Sequence, residues 1–156
     1  PKNRIMIINI KDRATTIKLG YSLFIIIYLA LLVFSLIFTF LPNYLFEIVL
    51  SIACLSLFVF YMLMGHTYLY FNDEADKFIF RYQMLNPFIT NRNAIEIPKK
   101  QFLKFEIKKS LFGLKKQIVL YQKTKDGIAK YSPVGLSSLK KSEIKSIEAS
   151  LSKYIS

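Results

Sequence analysis

The chain has 156 residues, 53% of them apolar, and a formal net charge of +12 at pH 7. Two apolar runs take up about a third of it, so the part after residue 69 suffices for one small domain with a modest core and no more. The single cysteine, Cys54, excludes an intramolecular disulfide, which suits a domain in the reducing cytosol.

Residues 1–18 form a basic N-terminal segment with a net charge of +4. Isoleucines alternate loosely at its start and a polar stretch over residues 11–16 follows. Two interpretations stay open: a short β-strand that pairs with the later domain, or an interfacial anchor among lipid headgroups. The clustering of β-branched residues favours the strand.

Residues 19–69 are predicted to form a transmembrane helical hairpin. Residues 19–41 contain no charge in 23 positions, and residues 48–65 contain none in 18. About 20 apolar residues in a helix cross a ~30 Å hydrocarbon core. A core helix of a soluble protein would show polar positions every third or fourth residue, but residues 23–37 offer only Tyr28 and Ser35. Tyr44 and Tyr68 flank the second run, where aromatic belts form.

The charges around the hairpin predict its orientation. The segment before it carries +4 and the segment after it +9, whereas the connection 42–44 has no Lys or Arg. Basic flanks stay on the cytoplasmic side, so both termini should be cytoplasmic. The first run is too long for the apolar region of a signal peptide. We therefore expect a multi-pass protein of the bacterial inner membrane, the bacterial origin being indicated by the richness in Ile, Lys, Phe and Asn.

Two ionisable residues of the hairpin are candidate intramembrane polar sites, Glu47 and His66. Glu47 lies in the first turn of the second span, where the helix dipole favours a carboxylate at the interface. The alternative is a proton site of an ion-coupled complex. The position near the loop favours the interfacial end-group. His66 has no nucleophile or orienting carboxylate at motif spacing, which favours an interfacial or strand-start histidine over a general base.

After Gly65 the pattern changes to the two-residue period of strands. Phe78, Phe80 and Tyr82 should share one buried face. We expect five to seven short antiparallel strands, punctuated by turns near residues 72–76, 86–93, 110–116 and 125–127. The predicted strands are residues 66–71, 77–82, 94–97, 102–108, 118–124 and 128–133.

Two finer details are also predicted. In the strand 102–108, Leu103, Phe105 and Ile107 should point inward. Apolar residues at positions 139, 144, 147, 151 and 154 indicate one closing amphipathic helix, with Ser137 or Ser138 capping its start.

This arrangement resembles the bacterial PH-like membrane proteins. The residues that carry the resemblance are Tyr68-Leu69-Tyr70-Phe71, the strands on either side of 72–77, and the ending Val134-Gly135-Leu136-Ser137 with Glu143, Ile144 and Leu151. It covers roughly residues 20–155 and is one of architecture, without a diagnostic motif. It implies a PH-like roll of two packed sheets with a C-terminal helix, in a family whose members are mostly non-enzymatic scaffolds or accessory components at the membrane.

The residues for catalysis or cofactor binding are missing from the sequence. The five glycines are scattered, so no phosphate-binding loop is predicted. One His and one Cys cannot supply the usual metal ligands. Nucleic acid is not an expected partner, because the alternation assigns the strand aromatics to a core and not to a stacking platform. No catalytic residue, cofactor or metal is therefore predicted.

The lysines around one turn form a possible lipid or partner surface. They are either a solvated basic face that satisfies the positive-inside bias, or a surface lying on anionic lipid, where each Lys contributes about 1 kcal/mol. The apolar tip of the turn could enter the interface or pack on another subunit. This surface comprises Lys99, Lys100, Lys104, Lys108, Lys109, Leu111, Phe112, Lys115 and Lys116.

Together these features predict a non-enzymatic inner-membrane accessory or scaffold subunit of a larger membrane complex. Its partners would be other membrane-protein subunits and, through the lysines, anionic lipids. The alternative is a component of an ion- or proton-coupled transport or motor complex that uses Glu47.

Overall fold

The computed structural model describes residues 6–38, 44–74, 76–85 and 91–155. These residues form an α+β protein, in which a hairpin of two long apolar helices is joined to two antiparallel sheets and a short closing helix. The predicted class is confirmed at this level. The predicted connection at 42–43 and the start of the predicted turn at 86–93 lie outside the described residues. The helices are α1 (Lys11–Phe38), α2 (Leu45–Leu63) and α3 (Lys141–Ser152).

Helix α1 begins at Lys11, whereas the apolar run alone predicts a start at Leu19. The side-chain oxygen of Asn9 accepts a hydrogen bond from the Lys11 backbone N–H at 3.1 Å, which satisfies one donor of the first turn. The charged stretch 11–18 is therefore helical. At 1.5 Å per residue, it extends α1 by about 12 Å beyond its apolar part.

Both helices are long and apolar enough to cross a membrane. The 19 residues of α2 span about 28 Å, close to the hydrocarbon thickness of a bilayer. Their large apolar side chains point outward, as shown by the exposure of Ile26 (62%) and Leu55 (64%).

The two helices contact each other through a seam of aromatic and polar side chains. Tyr21 of α1 is 5% exposed, and its ring centroid lies 4.7 Å from that of Tyr61. One heptad further on, the hydroxyls of Tyr28 and Ser51 are 2.9 Å apart. Polar contacts of this kind hold helices together in lipid, where burial of apolar surface supplies little driving force.

The first sheet has the order β1-β2-β3-β4. Strand β1 pairs antiparallel with β2, so the strand interpretation of the N-terminal segment is confirmed for these residues. Because β1 directly precedes α1 and β2 follows α2, this sheet is connected to both helices of the hairpin. Its strands are β1 (Ile7–Asn9), β2 (Thr67–Asp73), β3 (Lys77–Met84) and β4 (Arg92–Pro98).

The second sheet has the order β5-β6-β7, and β8 pairs with β6. A two-residue turn, Lys125 and Asp126, joins β6 to β7 as predicted. A short 3-10 turn, Lys99–Gln101, connects the two sheets. The strands are β5 (Phe102–Ser110), β6 (Lys115–Thr124), β7 (Gly127–Lys130) and β8 (Val134–Gly135).

One core lies between the sheets and α3. Phe78 and Phe80 are fully buried in it, which confirms the prediction for these two residues, whereas Tyr82, the third predicted member of the face, is only half-buried. The prediction for β5 is wrong at Leu103. The pairing with β6 shifts between Phe102 and Lys104, so Phe102 enters the core and Leu103 remains half-buried outside the main cluster.

Helix α3 closes the core with Ile144, Ile147 and Leu151, as the helical spacing predicts. The predicted cap is wrong. The hydroxyl oxygen of Ser137 accepts the Lys116 N–H, and that of Ser138 accepts the Thr67 N–H at 3.0 Å. Both serines therefore connect the chain before α3 to strands. The start of α3 is stabilised instead by Glu143, whose carboxylate accepts the Lys140 N–H at 2.7 Å.

Candidate functional site

Lys99 does not belong to an exposed basic surface. Its ammonium lies 2.6 Å from Asp73, and the two side chains are only 9% and 16% exposed. The hydroxyl of Ser150 donates to the other carboxylate oxygen of Asp73. This pair therefore joins the end of β2 to α3 and to the 3-10 turn.

Aromatic rings complete the surroundings of Lys99. The ammonium lies 5.3 Å from the ring centroid of Phe78 and 4.8 Å from that of Tyr154. Burial lowers the pKa of Lys99, but hydrogen bonds to Asp73 and Tyr154 outweigh it and raise the pKa overall. The side chain is thus a charged structural contact.

The other predicted lysines divide into two groups. The Lys104 ammonium donates to the Glu106 carboxylate at 2.9 Å and lies over the ring of Tyr121, and this hydrogen bond raises the pKa of Lys104. The remaining lysines are exposed or half-exposed and flank the β5–β6 turn or the 3-10 turn. They are Lys100, Lys108, Lys109, Lys115 and Lys116.

The tip of the β5–β6 hairpin lies at the same end of the domain as the exit of α2. The end of the Lys115 side chain, its Cε and ammonium, lies over Gly65, two residues after Leu63 ends that helix. Phe112 is fully exposed at 108% and Leu114 is 49% exposed. The apolar tip therefore lies beside the C-terminal end of α2, which is the end predicted to face the cytoplasm.

The backbone of this tip is strained. Leu111 and Phe112 have φ angles of 50° and 54°, in the left-handed region that residues other than Gly, Asn and Asp rarely adopt. A hydrogen bond from the Gly113 N–H to the Ser110 carbonyl at 3.1 Å closes the turn. A positive φ costs free energy in residues such as Leu and Phe. Their presence at these two positions therefore indicates a functional role for the tip.

Glu47 lies inside the hairpin, near its turn. One carboxylate oxygen accepts a hydrogen bond from Ser35, which is fully buried in the last turn of α1. The other oxygen is buried and has no hydrogen-bond partner among the described residues.

His66 lies at the other end of α2, beside the ring of Tyr61 at 4.8 Å between centroids. Neither ring nitrogen has a hydrogen-bond partner in the described part of the chain. Glu47 is the third residue of α2, so about 24 Å of helix lies between it and Leu63, the end of α2 that is nearer to His66. The two predicted polar residues therefore do not form one site.

The sequence interpretation did not foresee a basic groove of about 770 Å³ between the first turns of α1 and the outer face of the first sheet. The side chains that line it include four cations and no carboxylate, among the residues that the structure describes. The cations are Lys11 and Lys18 of α1, Arg81 of β3 and Arg92 of β4.

Regular geometry brings these cations together. Lys11 and Lys18 are seven residues apart and share one face of α1. On the sheet, Tyr70 pairs with Arg81 across β2 and β3, and Gln83 pairs with Arg92 across β3 and β4. The Arg81 guanidinium lies 6.0 Å from the ring centroid of Tyr70.

One signal in the sequence could have revealed the groove. The spacing of Lys11, Thr15 and Lys18 is that of a helix face, but it is meaningful only if α1 begins before its apolar part. The pairing of Arg81 and Arg92 with this face depends on strand register, which no local pattern fixes.

Comparison of the chain with protein families, curated proteins and solved structures found no match.

Proposed function

We propose that the chain is a non-enzymatic accessory protein of the bacterial inner membrane, anchored by α1 and α2, whose β-domain is held against the cytoplasmic leaflet. In this proposal the apolar tip of the β5–β6 hairpin enters the membrane interface, and the lysines around it lie on anionic headgroups. The domain and the spans then serve as contact surfaces for other subunits of a membrane complex.

Insertion of the hairpin into a membrane is supported by its surface. Most large apolar side chains of both helices are exposed, in an area far larger than water-soluble proteins tolerate. The helix lengths fit a bilayer. The basic flanks favour a cytoplasmic location for the domain.

The architecture supports a PH-like domain. Two antiparallel sheets enclose one core, and α3 closes it. A PH-like roll requires these same three layers. The first strand here comes from the segment before the membrane helices, so the roll would be completed only once the hairpin has formed.

The observation that carries the proposal is the position of the Phe112 tip. Lys115 packs against Gly65 at the end of α2, so the four-residue turn before Lys115 lies at the membrane end of the domain. A fully exposed phenylalanine in a strained turn gains nothing in water, but its burial in the interface offsets the strain. Neighbouring lysines would attract the anionic leaflet.

Tryptophan fluorescence tests this proposal directly, because the chain contains no tryptophan. The variant F112W places a single reporter at the tip. The matched control I128W places it on β7, at a residue that is 65% exposed and pairs with Lys123, near the far end of β6. At about 3.3 Å per residue, the eight steps from Lys115 to Lys123 separate the two reporters by about 26 Å along β6.

In vesicles containing phosphatidylglycerol, we expect F112W to emit at shorter wavelength and to be quenched by brominated lipid. I128W should emit as in water and remain unquenched. Equal emission and quenching of the two variants would overturn the proposed orientation of the domain.

The accessory role has a separate test. Purification in several mild detergents, followed by native mass spectrometry, should find the chain with another membrane protein in fixed stoichiometry. A monomer without a partner in every detergent would contradict this part of the proposal.

A second candidate function is participation in an ion pathway, favoured by the buried carboxylate oxygen of Glu47 that lacks a partner. The variant E47Q keeps an oxygen that can accept the Ser35 hydrogen bond but cannot carry a proton. Loss of ion-coupled transport in an intact complex would support this function. Unchanged transport would leave Glu47 as a contact between the helices.

A further inference from the structure

We propose that the basic groove between α1 and the first sheet binds the phosphate-bearing headgroup of an anionic phospholipid from the cytoplasmic leaflet. This inference rests on the proposed membrane insertion, because it requires the mouth of the groove to lie at the leaflet surface. Lys18 lines the groove and is followed directly by Leu19, the first residue of the apolar run.

The charges favour a phosphate. None of the four cations, Lys11, Lys18, Arg81 and Arg92, forms an ion pair with a carboxylate of the described residues. Four positive charges facing one cavity repel each other, and an anion between them relieves this repulsion. The guanidinium groups of Arg81 and Arg92 match phosphate oxygens through paired N–H donors.

The remaining lining suits the polar part of a headgroup. The groove presents phenol hydroxyls from Tyr68 and Tyr70 and an amide from Asn93, groups that hydrogen-bond to glycerol or sugar hydroxyls. The Tyr68 hydroxyl already donates to Asn9 at 3.3 Å, so its oxygen remains able to accept. A volume of about 770 Å³ lies within the range of small-molecule sites.

A neighbouring depression on α1 offers a path for an acyl chain. It is a shallow feature of the exposed apolar surface of this one helix, at the position of Gly20, which contributes no side chain. Thr15 and Lys18 of the groove lie one helical turn before Leu19 and Ser22 of the depression, so the two are adjacent. The depression is lined by Thr16, Leu19, Gly20, Ser22, Leu23 and Ile26.

This arrangement favours a lipid over a free phosphate compound. A soluble ligand would use the charged groove alone, whereas a phospholipid would occupy both the groove and the apolar depression. The specific prediction is therefore binding that needs the phosphate and the acyl chains together.

The experiment measures lipid binding to the full chain in mild detergent by native mass spectrometry. The probes are dioctanoyl phosphatidylglycerol, dioctanoyl phosphatidylcholine and glycerol 3-phosphate. We compare the wild type with R81Q/R92Q, and with K11Q/K18Q, which removes the same charge from the helix side of the groove. The control K125Q/K130Q removes two exposed lysines at the β6–β7 hairpin.

We expect at least tenfold tighter binding of phosphatidylglycerol than of phosphatidylcholine. Both groove variants should lose this preference, while the control retains it. If the control weakened phosphatidylglycerol binding as much as the groove variants do, the lipid would be attracted by the net charge alone, and the proposal would be overturned. Lipid binding at the wild-type level by both groove variants would also overturn it. Binding of glycerol 3-phosphate as tight as that of the lipid would assign the groove to a soluble phosphate compound instead.

The failure of this inference is distinguishable from failure of the proposed function. In the F112W background, R81Q/R92Q should keep the tip quenched by brominated lipid while losing the preference for phosphatidylglycerol. Loss of quenching with an intact lipid preference would overturn the orientation of the tip and leave the groove assignment standing.

Discussion

The guanidinium of Arg13 and the carboxylate of Glu143 form a two-pronged ion pair across 130 residues of sequence, with one N–O distance of 2.9 Å. Arg13 also donates to the Ser138 carbonyl at 2.9 Å. It lies in the first turn of α1, and Glu143 lies in the first turn of α3. This pair fixes the closing helix of the β-domain to the part of α1 that precedes its apolar run.

A double-mutant cycle with R13Q and E143Q should give a coupling energy of about 1 kcal/mol. The bidentate geometry strengthens the pair, but side chains that are 35% and 24% exposed are partly screened by solvent. Urea unfolding in mild detergent, followed by circular dichroism, provides the four free energies. Strictly additive effects of the two changes would contradict an energetic link.

The same pair predicts a dependence on acid pH. The hydrogen bond from Arg13 lowers the pKa of Glu143 below the ordinary value of a glutamate carboxyl. A carboxylate with a lowered pKa stabilises the folded state above its unfolded pKa, and this stabilisation is lost as pH falls through the folded value. E143Q should therefore lose less stability than wild type between about pH 5 and pH 3. Parallel unfolding free energies of the two proteins over this range would contradict the prediction.

Replacement of Lys99 by methionine should destabilise the domain by about 2–3 kcal/mol, because it leaves the carboxylate of Asp73 largely buried without its cation. D73N/K99M removes both charges and should recover part of this loss. The measurement is urea unfolding of both variants beside K100M, a matched change at the exposed neighbour. A loss for K99M no larger than that for K100M would show that the buried pair contributes little.

The strained tip predicts opposite effects on stability and membrane contact. In L111N/F112G, residues suited to positive φ replace two apolar ones, so the folded domain should gain about 1 kcal/mol. Vesicle binding by the tip should fall at the same time. Unfolding in detergent measures the first effect. Membrane contact is measured by quenching from brominated lipid, with L114W as the reporter. The variant L111N/F112G/L114W is compared with L114W alone. Greater stability without reduced quenching would mean that the tip does not enter the interface.

A β-carbon at Gly135 would lie 2.2 Å from the hydroxyl oxygen of Thr67, where the second sheet meets the strand leaving α2. G135A should therefore cost about 2 kcal/mol through overpacking. The control, A129G on β7, changes a small residue away from this junction. Equal unfolding midpoints for G135A and wild type would show that β2 and β8 can move apart freely.

Local patterns in the sequence were enough for the α+β class, for most strands and for the closing helix. The two apolar runs are long enough that their helical hairpin follows from composition alone, and the alternation in β3 identifies Phe78 and Phe80 as core. These features depend on the periodicity of apolar residues and on the transfer of apolar side chains out of water. Both are properties of residues that are close together in the sequence.

Tertiary structure decided which charges are exposed and which groups face each other. Lys99 resembles its neighbour Lys100 in the sequence, yet only Lys99 is enclosed, because Asp73, Phe78 and Tyr154 arrive from three distant elements. The basic groove likewise exists only once strand register places Arg81 opposite the helix face of Lys18. Ion pairing and strand register depend on contacts between residues far apart in the chain, and those contacts have no local signature.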